Sequence, residues 1–184
     1  MNAQDTIRII NERIADVFSI RMIAEPSIFT RPTGSLAIYG VATVLTSRRL
    51  ASGHDTYDSE GQRLERVESK EAVVRYTIVY NSDFIQKDGE SIDAFEVINV
   101  AERIQNYLST SEGLAHFRSE GIGRLDADAV SFTTQWNNKS YLPTAYFDVT
   151  VSYETVLGVS RYPEVLRIEG TAEGTDIIVE KEQN

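Results

Sequence analysis

The sequence contains no cysteine. That excludes a disulfide framework, thiol catalysis and thiolate metal sites, and it agrees with assembly in a reducing cytosol. Histidine is nearly as scarce. His54 lies in a polar segment and His116 in an expected short helix, and each reads as a surface residue rather than a catalytic base or metal ligand. No apolar run approaches the roughly 20 residues that span a bilayer. Met1 to Phe18 lacks a signal-peptide pattern, because Asp5, Arg8, Asn11, Glu12 and Arg13 interrupt it. Positive charge is also short: 18 Lys and Arg stand against 28 Asp and Glu, for a net charge of −10. A phosphate-binding surface needs the opposite balance, so neither a nucleic acid nor an anionic membrane is the expected partner.

Catalytic signatures are missing as well. There is no G-x-S-x-G, P-loop or H-E-x-x-H run. Gly121-Ile122-Gly123 is too short for a dinucleotide fingerprint and reads as a turn leading to a third strand. Asp126 and Asp128, in D-A-D, read as a solvated turn rather than a metal site. Asp55, Asp58 and Glu60 precede Gly61 as in a calcium loop, but Thr56 and Val67 occupy the terminal ligand positions, where carboxylates are required. Trp136 and the tyrosines suit a core or an interface better than a base-stacking platform. The residues therefore point away from an enzyme, with no catalytic residue, cofactor or metal expected.

What the chain does have is length and pattern for one core-bearing domain over residues 1–184. Residues 3–18 repeat Ala3, Ile7, Ile10, Ile14, Val17 and Phe18 at helical spacing, with Arg8, Asn11, Glu12 and Asp16 mostly on the other side. Leu36 to Thr46 reads as a strand covered on both faces. Ala72 to Tyr80 reads as a second strand. Ser91 is a candidate N-cap for a helix from Ile92 to about Leu108, with a stripe of Ala94, Val97, Ala101, Ile104 and Leu108. Leu114 to Ser119 suits a short helix, Ala129 to Trp136 a third strand, and Asn137 to Pro143 a turn-rich connection. Thr144 to Leu157 carries the clearest period-2 signal, with Phe147, Val149, Val151, Tyr153 and Leu157 facing one way. A hairpin closes the chain over 165–181. The expected architecture is α+β: a four-stranded, mainly antiparallel sheet with the long helix on one face, an N-terminal helix, an extended strand-connecting arm and a C-terminal hairpin.

That arm, Ser47 to Glu71, joins two strong strands and mixes both charges. Compact domains rarely keep so long a connection without a use. Arg48, Arg49, Arg63, Glu65, Arg66 and Glu68 are its candidate interface residues, because mixed charge suits a polar contact between identical copies.

From Val73 onward the chain runs V-V-R-Y-T-I-V-Y, then I-D-A-F-E-V-I-N-V-A-E-R-I-Q-N-Y-L, then G-I-G-R-L-D-A-D, then A-Y-F-D-V-T-V-S-Y. This resembles the neck terminator proteins of contractile-tailed phages and, more loosely, tail terminator and tail completion proteins. Tyr76, Ile78 and Tyr80 match the family's first strand. Ala101, Glu102, Arg103 and Ile104 match its helix, Gly121 and Ile122 its G-I segment, and Phe147, Asp148, Val149 and Tyr153 its last long strand. The resemblance covers the C-terminal half to two-thirds of the chain. It implies a structural virion subunit of the tail or neck, assembled in the host cytoplasm as a homohexameric ring on the last ring of the tail-tube protein. Such a ring faces the head–tail connector, borders the tail sheath protein, and lets the genome through its lumen without specific binding. Another tail or head-completion subunit, or a small ligand-binding domain, are the alternative readings.

Overall fold

The computed structural model describes residues 1–24, 38–51, 53–58, 63–80, 94–136, 141–161, 167–172 and 175–180. Helix α1 spans Ala3–Phe18. The Asn2 side chain accepts from the Asp5 N–H at 2.8 Å, and the Asp5 carboxylate accepts from the Asn2 N–H at 3.3 Å. This reciprocal cap satisfies two otherwise orphaned donors. Ser19, at φ 53, takes the left-handed turn that ends the helix. Ile7, Ile10 and Ile14 are buried as the spacing requires. Two positions depart from the amphipathic reading: Val17 is exposed, and Asn11, expected outside, is buried.

Strands β1 (Arg21–Ala24), β2 (Ile38–Arg49), β3 (His54–Asp58) and β4 (Arg63–Tyr80) follow. Next come helices α2 (Ala94–Leu108) and α3 (Ser111–Ser119), then β5 (Ile122–Ala127), β6 (Ser131–Trp136) and β7 (Tyr141–Arg161). Strands β8 (Arg167–Ala172) and β9 (Thr175–Glu180) form their own two-stranded antiparallel sheet, which agrees with the expected terminal hairpin.

The expected four-stranded sheet is corrected to a mixed sheet of seven strands. Strands β4 and β7 pair antiparallel at its centre, from Val79 opposite Thr144 to Arg63 opposite Arg161. At ~3.3 Å per residue these two strands are each on the order of 60–70 Å long. Strands β2 and β3 lie end to end along the far side of β4, and β5 and β6 lie end to end along the far side of β7. Strand β1 adds to β2 in parallel. Pro143 belongs to β7, although it was expected in a turn. It pairs with Thr134 of β6 one residue beyond the last β4 pair, so its missing N–H leaves no β4 partner short. Gly121-Ile122-Gly123 and the Asp126–Asp128 run, expected as turns, contribute to strand β5, in which Ile122 and Leu125 pack inward while Arg124 and Asp126 stay out.

The helices share one face of the sheet. Val97, Ala101, Ile104 and Leu108 of α2 are fully buried, and they share a single cluster with Ala72, Val74, Tyr76 and Ile78 of β4 and Ala145, Phe147, Val149 and Val151 of β7. The expected stripe is thus confirmed from Val97 on; the Ala94 side chain and residues 91–93 lie outside the described residues. Tyr39, Val41 and Val79 form a second buried cluster, so β2 is covered on both faces at its start, as its continuous apolar run suggests.

Among the described residues two buried polar atoms have no partner, Asn11 Oδ1 and the Tyr76 hydroxyl. Tyr76 is fully buried, and its hydroxyl makes no hydrogen bond. Burial pushes the phenol well above its ordinary range. Tyr76→Phe removes an unsatisfied hydroxyl and is expected to raise stability by about 1 kcal/mol. The sign at high pH follows from the raised folded-state pKa: the neutral phenol is favoured in the fold, so stability is lost as pH climbs above the unfolded value near ~10. Urea titrations between neutral and strongly alkaline pH are expected to show a shallower alkaline loss in the phenylalanine variant.

Candidate assembly surface

The segment expected as an extended arm is a paired ribbon instead. Ser47–Arg49 complete β2, His54–Asp58 form β3, and the chain from Arg63 is β4. The ladder continues across the junction, where the Leu50 N–H donates to the Ser69 carbonyl at 2.9 Å. The charges that suggested a polar connection turn out to be cross-strand pairs. Arg48 stands opposite Glu71 and Asp55 opposite Arg66, while Arg49 faces the like-charged Lys70 and both of these cations turn to Glu68. Opposite charges at facing positions support a solvated ladder without any hydrophobic alternation.

Arg48 and Arg49 lie in the last turn of pleat before β2 ends. Arg48 reaches the Glu71 carboxylate, at 2.9 Å from Nε and 2.7 Å from Nη2. Arg49 bonds Glu68 and also donates to the Ala51 carbonyl at 3.0 Å. Lys70 approaches the other Glu68 oxygen at 3.6 Å. The carboxylates are nearly closed off, with side-chain exposures of 7% for Glu68 and 10% for Glu71, while the Arg48 and Arg49 side chains are 72% and 51% exposed. Removing either arginine would strand a buried carboxylate. Arg66 is exposed and Glu65 half-buried on β4; Arg63 opens β4, and its side chain lies outside the described residues. All six sequence candidates thus lie on strands β2 and β4 of one ribbon, where the Arg48, Arg49 and Arg66 side chains are exposed and Glu68 is buried.

Apolar side chains were the signal the sequence reading missed. Val44, Leu45, Leu50, Val156 and Leu157 are all exposed, and all lie along the ribbon or its base. Leu45 and Leu157 are the extra residues of β-bulges, in β2 between Val44 and Thr46 and in β7 opposite the Arg66–Val67 step. A bulge shifts the period-2 register by one residue. This explains why Leu157, expected to continue the core face of Phe147 to Tyr153, is 49% exposed. At the ribbon's base a groove of about 340 Å³ is lined by Leu50, Ser69, Glu154, Arg118 and Gly121 to Gly123 at the start of β5.

A second constellation sits on the sheet face opposite the helices. Arg75 of β4 and Asp148 of β7 are register partners and form a two-pronged ion pair at 2.8 and 2.9 Å. The guanidinium also lies 4.8 Å from the centre of the Tyr146 ring. Its hydrogen bond to Asp148 holds the Arg75 pKa above the ordinary value. This pair clamps the two central strands; it offers no nucleophile or base.

The residues weighed for catalysis are dispersed. His54 opens β3, and the His116 ring packs on Phe117 of α3. Asp126 pairs with Arg124 at 2.9 Å, and the Asp128 N–H donates to the Asp148 carbonyl. Asp55 and Asp58 lie in a strand rather than a calcium-binding loop. Among the described residues no group of three His, Asp or Glu is placed to hold a metal, and no helix is long and apolar enough to cross a membrane.

Residues 4–181 match a family model described as phage neck terminator protein. No curated protein matches the chain.

Proposed function

The chain belongs to the family of phage neck terminator proteins, structural components of the virion tail and neck, and from that premise we propose that it assembles with copies of itself into a ring closing the head-facing end of the tail tube. One face of the ring would meet the last ring of tail-tube protein and the other the head–tail connector. A sheath contact at the rim follows if the tail is contractile. Six copies is the number the family resemblance implies.

The observation that carries this reading is the ribbon built by β2, β3, β4 and β7 over residues 47–71 and their partners. It continues the central strands past the buried cluster and carries exposed leucines beside exposed guanidinium groups. Large apolar side chains gathered on one projecting element mark an interaction surface, and arginine is the charged residue most enriched in such surfaces.

The mass of the purified protein, measured by light scattering with and without isolated tail tubes, tests the proposal. A closed multimer, alone or on the tubes, supports it; a monomer that ignores the tubes overturns it. The net charge of −10 per chain sets a second expectation, because a passage lined by carboxylates repels phosphates and lets DNA slide. No duplex binding is expected at physiological salt. Salt-sensitive binding at micromolar concentration, read by fluorescence anisotropy, would contradict the acidic passage.

A further inference from the structure

The two long edges of the ribbon differ in a complementary way. On the β7 side, pairing with β5 stops at Tyr153, so from Glu154 onward β7 pairs only with β4 among the described residues. On the other side, the edge running through Arg49, Leu50 and His54 likewise pairs only with β4. An edge kept free in a monomer usually carries lysine, proline or an inward charge. The β7 edge instead carries Val156 and Leu157, 45% and 49% exposed, and the opposite edge carries Leu50, 47% exposed. The charges are opposite too: exposed Glu154 on one edge, and the exposed Arg49 head, whose partner Glu68 is buried, on the other.

The rows of the ladder set which residues lie level with one another. Leu50 bonds Ser69, and Ser69 faces Glu154; His54 faces Val67, and Val67 faces Val156. Glu154 is therefore level with Leu50 and one row from Arg49, and Val156 is level with His54. Strands β2, β3 and β7 all run antiparallel to β4, so the two edges run in the same direction. A head-to-tail contact between identical ribbons sets these edges side by side in parallel. Repeated by rotation, such a contact closes a ring.

We propose that the β7 edge from Glu154 to Leu157 of one copy docks on the Arg49-to-His54 edge of a second copy, with Glu154 level with Leu50, Val156 level with His54, and the Glu154 and Arg49 charges on neighbouring rows. This rests on the reading that copies of the chain assemble with one another. The contact removes leucine and valine surface from water on both sides and gives the free strand edge of β7 a partner.

The absence of cysteine makes the test direct. Leu50→Cys and Glu154→Cys, which the rows place level with each other, are prepared separately, mixed at a concentration where the parent protein is multimeric, and oxidised. A disulfide forms only where the two Cα atoms come within about 7 Å, so the mixed pair is expected to cross-link about tenfold more than either variant alone. It is likewise expected to exceed either variant mixed with Val17→Cys, an exposed position on α1. Ala51→Cys with Val156→Cys provides a second pair should one of the first disturb the edge. A multimer in which neither mixed pair cross-links above the Val17→Cys control overturns the contact and leaves the ring reading standing. Strong cross-linking of Glu154→Cys alone indicates a two-fold contact and also overturns it. A parent protein that stays monomeric, with or without tail tubes, sinks both readings.

Discussion

Ile104→Asp is expected to leave little cooperatively folded protein. Ile104 is fully buried on α2, in one cluster with the inward residues of β4 and β7. A carboxylate at that position has no partner among the apolar side chains of the cluster. It must be buried charged, be protonated at a cost, or open the helix from the sheet. Each route costs about 4 kcal/mol or more, a large part of the ~5–15 kcal/mol that holds a domain of ordinary stability. Circular dichroism melts of the parent and the variant decide it. A variant melting within a few degrees of the parent would mean that α2 does not pack through this stripe.

Phe147→Ala is the second large effect. Phe147 sits in β7, 1% exposed, and its ring stacks on that of Tyr76 with centroids 5.6 Å apart and planes 17° from parallel. Tyr76 is its register partner on β4, so the two rings join the two central strands from the core side. On the other face, one residue along, Arg75 and Asp148 join the same strands by an ion pair. Truncation to alanine removes the aromatic contact and leaves a void that a sheet held on both flanks cannot collapse to fill. The expected loss is about 3–5 kcal/mol. Phe132→Ala serves as the internal comparison. Phe132 is 46% exposed on β6, and its loss is expected to cost within ~0.5 kcal/mol. Urea midpoints for the two variants that fall equally would show that burial is not what separates them.

The helices and the core half of the sheet were legible because their residues follow a single rule. Val97 to Leu108 keep a helical stripe, and Phe147 to Tyr153 keep strict alternation, since each packs one face against a continuous apolar layer. The ribbon was not legible for the opposite reason. Its buried positions are held largely by Glu68 and Glu71 under arginine heads rather than by apolar side chains, so charged residues fill Arg48 to Glu71 without an apolar period. The information lay in pairs distant in sequence: Arg48 with Glu71 and Asp55 with Arg66 are opposite charges set across a hairpin. The bulges hid the rest. Val44 to Thr46 and Val156 to Gly158 each contain one residue too many for a regular ladder, and nothing local in the chain announces it. The candidate charges Arg48, Arg49, Arg66 and Glu68 proved to lie on one paired ribbon, while the exposed leucines beside them were assigned to a core or passed over. Strand β1 was missed because four residues paired in parallel leave no local trace.

The pairing of β4 with β7 also sets the order in which the chain is able to fold. Val79 must find Thr144, and Arg63 must find Arg161, with α2, α3, β5 and β6 among the residues lying between them in the sequence. Closing loops of that length is entropically slow, which places such a topology toward the slower end of folding rates. During synthesis β4 pairs early with β2 and β3, its near neighbours, but its other edge stays bare until β7 has left the ribosome. For that interval the nascent protein carries a long unpaired strand edge rich in valine, isoleucine and tyrosine from Val73 to Tyr80. Self-association too early at this edge competes with β7 for the same hydrogen bonds. Delayed arrival of β7, residues Tyr141–Arg161, is therefore expected to lower the yield of native protein even where final stability is unchanged.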